Sequence, residues 1–498
     1  MKIFFFGLII IFISLLSCEN QHQKDERLAK QHCGSCHIFP DPNLLDKKTW
    51  EKKVLPEMAF RMGLDNSPLN TSPFEDQVAI LMSLPPAPMI SQENWERIKK
   101  YYNETAPDSL IIPEQKINDT LTQFEVKPIR LPVMQHQVVT LIAQDSTKDT
   151  IYIGTRQGNL YEFNHNFGVK DSIRLSSAPS KLILQENSDP TILLMGIMDP
   201  NEQARGSVAV LQQDQTFANK IDSLQRPVDF ERVDFNNDKT DDYIICNFGN
   251  HTGSLAVYQG LANGKFQRHV LSDLPGARRI IIKDFDGNGL PDIMTLMTQG
   301  DERILLFYNQ GNFQFRLTTL LRFTAVQGSS YIEIADFNHD GKSDILYTNG
   351  DNADFSAILK PYHGVHIFLN NGTNEFKESW FYPMHGASQA RIADFDRDGD
   401  LDIAAVSFFP DFKNHPEQGF IYFENTPQGF KPQITRLANK GRWITLEAFD
   451  YDHDGDKDIL LGSLTFPNLV PKELMTKWGA DQISILLIQN KLNHPKGI

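Results

Sequence analysis

Four cysteines in 498 residues (Cys18, Cys33, Cys36 and Cys246) are too few for a disulfide scaffold. Positive charge is short as well. Lys plus Arg number 48 against 63 Asp plus Glu, a formal charge of -15. Nothing global therefore draws the chain to nucleic acid phosphates or anionic lipid. Beyond the N-terminus no long apolar run occurs, and the mean hydropathy of -0.35 excludes a polytopic helical membrane protein. No P-loop, dinucleotide-binding fingerprint or Ser-His-Asp spacing is present, so hydrolases and nucleotide-dependent enzymes lack positive support. The length leaves ample chain for a buried core and suggests several ordinary domains, or one small and one large.

The first apolar run is brief. Met1 and Lys2 precede an almost unbroken apolar stretch from Ile3 to Leu16, and polar sequence follows from Glu19 to Lys24. Such a run is too short to span a bilayer comfortably and reads as an export signal. Its ending, Leu15-Leu16-Ser17-Cys18, resembles the lipobox of bacterial lipoproteins. That resemblance implies a signal peptide over 1–18, lipid attachment at Cys18 and a tether over 19–27. The protein would then be lipid-anchored in a bacterial cell envelope, at the outer membrane or facing the periplasm.

Residues 33–37 read Cys33-Gly34-Ser35-Cys36-His37. Two thiols at this spacing can add across two vinyl groups of one haem, and the adjacent His37 is placed to ligate the iron. A redox dithiol usually sits in a thioredoxin-like βαβ context, and none surrounds this one. Glu26 to His32 can form the helix carrying the motif. Thr49 to Met62 has helical apolar spacing with Pro56 as a kink point, and Trp95 to Tyr102 reads as a closing helix behind Ser91 as N-cap. Residues 28–104 resemble a class I cytochrome c domain, which implies covalent haem c. For the distal ligand Met58 is favoured, in Trp50…Val54-Leu55-Pro56-Glu57-Met58, which resembles the Trp…Val…Met pattern of short haem domains fused to other modules. Met62, Met82, Met89, His22 and His32 remain alternatives.

After a Pro-containing linker over 105–128 the sequence repeats itself. Five acidic loops start at Asp234, Asp284, Asp336, Asp394 and Asp450, spaced 50, 52, 58 and 56 residues apart. That is the period of a four-stranded propeller blade. Positions 1, 3, 5 and 9 of each loop follow a calcium-loop pattern, with a backbone carbonyl expected at position 7 and a turn-forming residue at position 6. The ligand candidates are Asp234, Asn236, Asp238 and Asp242; Asp284, Asp286, Asn288 and Asp292; Asp336, Asn338, Asp340 and Asp344; Asp394, Asp396, Asp398 and Asp402; and Asp450, Asp452, Asp454 and Asp458. The first three loops hold three carboxylates each at these positions and the last two hold four each, so the acidic excess is concentrated there. Position 6 is Gly in the last four loops and Lys239 in the first, which should make the first site the weakest. Two degenerate units, around Ile151–Phe163 and Ile192–Leu211, precede the five. The expectation is an all-β seven-bladed propeller over 129–490, behind a small all-α domain. The repeats resemble the FG-GAP/VCBS propellers, including those of integrin heads.

Propeller connectivity places the loops after each second strand, and those between blades, opposite the acidic loops. On that face the sequence gathers His251, Asp351, Asp354, Lys360, Tyr362, His363, His385, Asp411 and Arg442, with His136, Arg278 and Arg279 from blade connections. Such groups at a propeller mouth suit a polar ligand or acid–base work. The whole chain resembles bacterial lipoproteins that join a cytochrome c domain to an FG-GAP/VCBS propeller. The resemblance implies a membrane-anchored haem electron-transfer protein whose calcium-binding propeller docks a substrate or redox partner. An alternative is a glycan- or protein-binding adhesion propeller with an accessory or sensory haem. An enzyme with a cofactor of its own has no motif.

Overall fold

The computed structural model describes residues 20–492 apart from 116, 118, 134–137, 186–187, 213 and 351–355. Cys18, the signal and Glu19 of the tether therefore lie outside the described residues, as do His136, Asp351 and Asp354; the remainder of the expected tether begins the first helix instead.

Helix α1 (Gln21–Cys33) starts on a reciprocal cap. The Asn20 side chain accepts from the Gln23 amide, and the Gln23 side chain accepts from the Asn20 amide, both at 2.9 Å. It ends at Gly34, where a Cβ would stand 2.6 Å from the Lys30 carbonyl oxygen, so only glycine lets the chain turn away here. The expected helix over Thr49–Met62 is broken into parts: a single turn α2 (Lys47–Thr49), a π-turn (Trp50–Val54) and α3 (Leu55–Arg61). Pro56 has no N–H to continue the α ladder, and the ladder widens just before it. A fourth helix, α4 (Phe74–Ser83), follows. The closing helix α5 (Gln92–Thr105) begins at Ser91, whose hydroxyl accepts from the Asn94 amide at 3.3 Å. Helices α1 and α5 pack together through buried Asp25, which accepts from Arg97 Nε at 2.7 Å, and through His22 against the Tyr101 ring at 5.4 Å. Trp50, Trp95, Ile98 and Tyr102 fill the core between them.

From Phe124 to Asn490 the chain forms seven four-stranded antiparallel sheets. The innermost strands are Val139–Asp145, Pro179–Ile183, Pro227–Val233, Ala277–Lys283, Ser329–Ala335, Ala387–Ala393 and Trp443–Phe449, taken here as blades 1 to 7. Second strands such as Asp292–Met297 and Asp402–Ser407 are buried at every residue. Outermost strands alternate or lie exposed, because only one face meets a neighbouring blade. The two degenerate units are genuine blades. The expected start at 129 is too late. Phe124–Ile129, assigned from sequence to the linker, is the outer strand of blade 7 and pairs in register from Phe124↔Asn490 to Ile129↔Ile485. Its two prolines nearby and its distance from the rest of blade 7 in sequence hid it. Helix α6 (Lys472–Asp481) is inserted between the second and third strands of that blade.

Charged side chains link the innermost strands from blade to blade. Lys181 bonds Asp229 and Glu231 at 2.8 and 2.5 Å, Arg279 bonds Asp229 at 3.3 Å, and Arg391 bonds Glu447 at 2.7 Å. Arg278 and Arg279, expected in a blade connection, instead lie in the strand Ala277–Lys283. Burial pushes the Glu333 carboxyl up to about 8, against the opposing pull of Arg279.

The helical part is seated on the propeller face opposite the acidic loops. Arg322 Nη2 donates to the Cys36 carbonyl at 3.2 Å, and Ile38 forms a parallel bridge with Thr324. Asp76 accepts from the Glu202 amide at 3.2 Å, Phe60 packs edge-on to His251 at 5.7 Å, and Val326 enters the helical core. Among the described residues no helix is long and apolar enough to cross a membrane.

Candidate functional site

Each acidic loop joins the first and second strands of blades 3 to 7. In four of them the position-1 carboxylate accepts from the position-5 amide, at 3.0–3.2 Å: Asp234 from Asp238, Asp284 from Asn288, Asp336 from Asp340 and Asp450 from Asp454. In all five its other oxygen takes the position-6 amide. Position 9 ties the loop to the sheet. Asp402, for example, accepts from the Phe395 amide at 3.0 Å and from the Asn425 amide at 2.8 Å. Burial raises all five of these carboxyls, Asp402 and Asp458 to about 7. Lys239 takes φ +67°, the left-handed conformation that Gly289, Gly341, Gly399 and Gly455 adopt in the other loops.

Three loops bring carboxylate oxygens within 4.8 Å of one another: Asp284, Asp286 and Asp292; Asp394, Asp396 and Asp402; Asp450, Asp452 and Asp458. In the loops at Asp234 and Asp336, Asn236 and Asn338 turn their amides onto Asp238 and Asp340 at 2.8 and 3.2 Å. Asp394 Oδ1 is buried without a hydrogen-bond partner. An all-oxygen donor set with an orphaned buried carboxylate oxygen fits a hard cation such as calcium.

At the end of α1, Cys33 and the exposed Cys36 are free thiols; Cys246, also free, is buried in a strand of blade 3. Burial pushes Cys33 up to about 11, with the Tyr102 hydroxyl partly opposing. His37 Nδ1 lies 2.9 Å from the Ile38 carbonyl, which leaves Nε2 as the available ligand nitrogen. Met58 and Met62 pack against the same helical core as Cys33, whereas Met82 and Met89 are 82% and 49% exposed. Free thiols at this spacing beside an imidazole with an available Nε2 fit covalent haem. An opening of about 800 Å³ lies between α3 and α5, walled by Leu55, Ala59, Leu64 and Trp95.

On the same propeller face as the helical part, a cavity of about 320 Å³ lies between blades 5 and 6, floored by Phe409 and Phe412. It brings together Lys360, His363, His385 and Asp411 and adds Lys413 and Asn414, which sequence reasoning had not singled out. Lys360 is 1% exposed, and among the described residues its ammonium reaches only the Ser356 and Ile358 carbonyls at 3.2 and 3.4 Å. Burial pushes it down to about 7, with Asp46 of the helical part opposing. His363 is 4% exposed, and its Nε2 and the His385 Nδ1 are both buried without a partner. Burial lowers both imidazoles. Asp411 is held by its own loop, accepting from Lys413 N, Asn414 N and Asn414 Nδ2 at 3.2, 3.1 and 2.7 Å.

The other described face candidates do not line this cavity. His251 packs on Phe60. Tyr362 donates to the Val326 carbonyl at 3.2 Å. Arg442 is a buried brace, lying over Phe408 and Phe466 at 4.0 and 4.2 Å and donating to the Phe408, Phe466 and Asn468 carbonyls. One important residue carried no sequence mark. Glu202 is buried and accepts from His251 N, Thr252 N, Thr252 Oγ1 and Asn250 Nδ2, so it holds the blade 3 loop against the helical part. A lone Glu in a polar loop has no motif to reveal it.

Comparison with known proteins agrees with this architecture. FG-GAP-like repeats match at residues 234–295, 284–347 and 349–405, spans that contain the acidic loops of blades 3 to 6. The protein is thus a seven-bladed β-propeller carrying FG-GAP-like repeats. No curated protein matches the chain. Among solved structures it is similar to the Dos1 propeller (10% identity over 70% of this chain and 77% of that one, TM-score 0.42). It is also similar to the N-terminal domain of Nup159 (8%, 76% and 97%, 0.43) and to the Neurospora crassa Pan2 WD40 domain (12%, 76% and 98%, 0.45). The blade count rests on the strand pairing of this chain itself.

Proposed function

We propose that this protein is an exported binding propeller that docks a polar ligand or partner protein on the face bearing the helical part, with calcium bracing the opposite face. The observation that carries this reading is the mouth cavity, where Lys360, His363, His385 and Asp411 from separate loops of blades 5 and 6 converge around a buried imidazole without a partner. The FG-GAP-like repeats also support a binding or adhesion role. In this reading Cys18 carries lipid and holds the protein in a bacterial cell envelope. The calcium ligands are the position 1, 3, 5 and 9 side chains of the five loops, with most strain at Lys239.

A second reading is favoured by one specific observation, the Cys33–His37 motif seated on that same face through the Arg322 contact to the Cys36 carbonyl. In it Cys33 and Cys36 anchor haem c, His37 Nε2 is its proximal ligand and Met58 or Met62 its distal one. Haem would supply a one-electron couple, making the protein an electron-transfer partner of whatever docks beside it. The helical part would then present its prosthetic group to the docked molecule.

The test is a screen of the haem-matured, calcium-loaded protein against glycans and envelope proteins, with His363→Ala in parallel. Binding lost in the variant, with the haem absorbance of both proteins unmoved by the ligand, supports docking alone. Oxidation or reduction of the haem by the bound molecule adds electron transfer. Binding unchanged by His363→Ala sinks the cavity as the docking site.

A further inference from the structure

We propose that the mouth cavity is a receptor site for a small organic carboxylate of sugar-acid size, whose carboxylate is received by Lys360, His363 and His385. The inference rests on the reading of this cavity as the ligand site and adds the chemical class.

Nitrogen groups outnumber carboxylates among the described residues of the cavity. Lys360, His363, His385 and Lys413 line it with one described carboxylate, Asp411, which three N–H groups of its own loop already engage. Among the described residues Lys360 meets no carboxylate at hydrogen-bond distance, only two carbonyls at 3.2 and 3.4 Å. His363 Nε2 and His385 Nδ1 are buried with nothing to bond. Buried polar atoms of this kind cost free energy unless a partner arrives. Once protonated, the ammonium and both imidazoles present only donors, so the partner that completes them is an acceptor, and charge favours an anionic one. Phe409, Phe412 and Ile358 supply an apolar wall for the carbon skeleton, which a bare inorganic anion would leave uncovered. About 320 Å³ admits a six-carbon acid with room for water.

The charges around the three nitrogens set a pH signature. Asp46 stands near Lys360; Lys360, His385 and His366 stand near His363; Asp411, Lys360 and His415 stand near His385. Burial holds all three groups toward their neutral forms in the free protein. A bound carboxylate reverses that preference, so binding takes up protons, and affinity falls as pH rises above about 7.

The experiment is calorimetry on the full haem-matured, calcium-loaded protein. Glucuronate, galacturonate, gluconate and lactate are titrated beside glucose and galactose, in two buffers of different ionisation enthalpy, from pH 6 to pH 8.5. At least one carboxylate is expected to bind about tenfold or more tighter than its neutral counterpart, with net proton uptake and weaker binding at the higher pH. His363→Gln should cost about tenfold or more. Because that variant can disturb the fold, Asp411→Asn provides a second reading: loss of the one carboxylate among the described residues of the cavity should tighten the same ligand. Equal affinity for acid and neutral sugar, no proton uptake, weaker binding in Asp411→Asn, or no carboxylate bound at millimolar concentration overturns the inference. A neutral glycan bound in a His363-dependent way would overturn it while leaving the docking function standing. His363-independent binding of every ligand would remove both.

Discussion

On one face of the propeller, five blades pass from first to second strand through the same nine-residue acidic loop. On the other face each blade makes its own connection, and those connections hold the helical part, the Arg442 brace and the mouth cavity. Repetition suits a bracing task, because each loop meets the same neighbours in its own blade: the amides of its turn and one amide at the end of the third strand. Recognition needs the reverse, since different groups must converge on one point from different blades. The faces therefore divide labour, and they should fail separately.

The largest effect tests what holds both faces in one ring. A chain starting at Arg130 loses the outer strand of blade 7 and exposes the edge of Ile485–Asn490. It is expected to lose its monomeric fold, seen as aggregation or dimerisation in size-exclusion chromatography; a monomer with native circular dichroism would contradict the closing role of that strand. Chelation comes next. A site held at 100 times its Kd contributes about 2.7 kcal/mol, so removing calcium should lower Tm by about 10 °C or more, while ligand binding at the mouth survives below the new Tm. Arg442→Met acts on the other face alone: loss of its bonds to three carbonyls should cost about 3 kcal/mol in denaturant unfolding, with or without chelator.

Glu333 gives a subtler test at the axis shared by both faces. Its carboxyl lies at about 8 in the folded protein against an ordinary value of 4.5. The folded state therefore binds the proton more tightly, and stability falls as pH rises from about 4.5 to about 8. Glu333→Gln should show little gain in Tm at pH 5 and a growing one toward pH 8.5. The smallest change is Lys239→Gly. Relief of a non-glycine residue at φ +67° should add about 0.5–1 kcal/mol and tighten the first calcium loop, while mouth binding stays the same.

The same division governs what could be read from the chain. The five loops, their spacing and seven blades were legible because each residue's role recurs. Even the cost at Lys239 was visible, since four sibling loops showed Gly at that place. Lys360, His363, His385 and Asp411 were found as polar residues in long connections, but their convergence depends on how blades 5 and 6 sit side by side. His251, Tyr362 and Arg442 had the same appearance in sequence and brace the structure instead. The cap residue Ser91 marked α5, whereas the Asn20 cap went unread and α1, expected from Glu26, begins at Gln21; α4 begins after Pro73 without a side-chain cap and α6 after Pro471 in the same way. The closing strand was hidden because its partner lies more than 350 residues away.

That strand also has a mechanical consequence. If the N-terminus is lipid-anchored as proposed, a pull on it passes first through the helical part and then to Phe124. Tension in line with Phe124–Ile129 loads six residue pairs in parallel, as a shear joint does, instead of peeling them one at a time. The ring is latched by the strand nearest that anchor in sequence, so such a pull meets a sheared joint before it reaches the other blades.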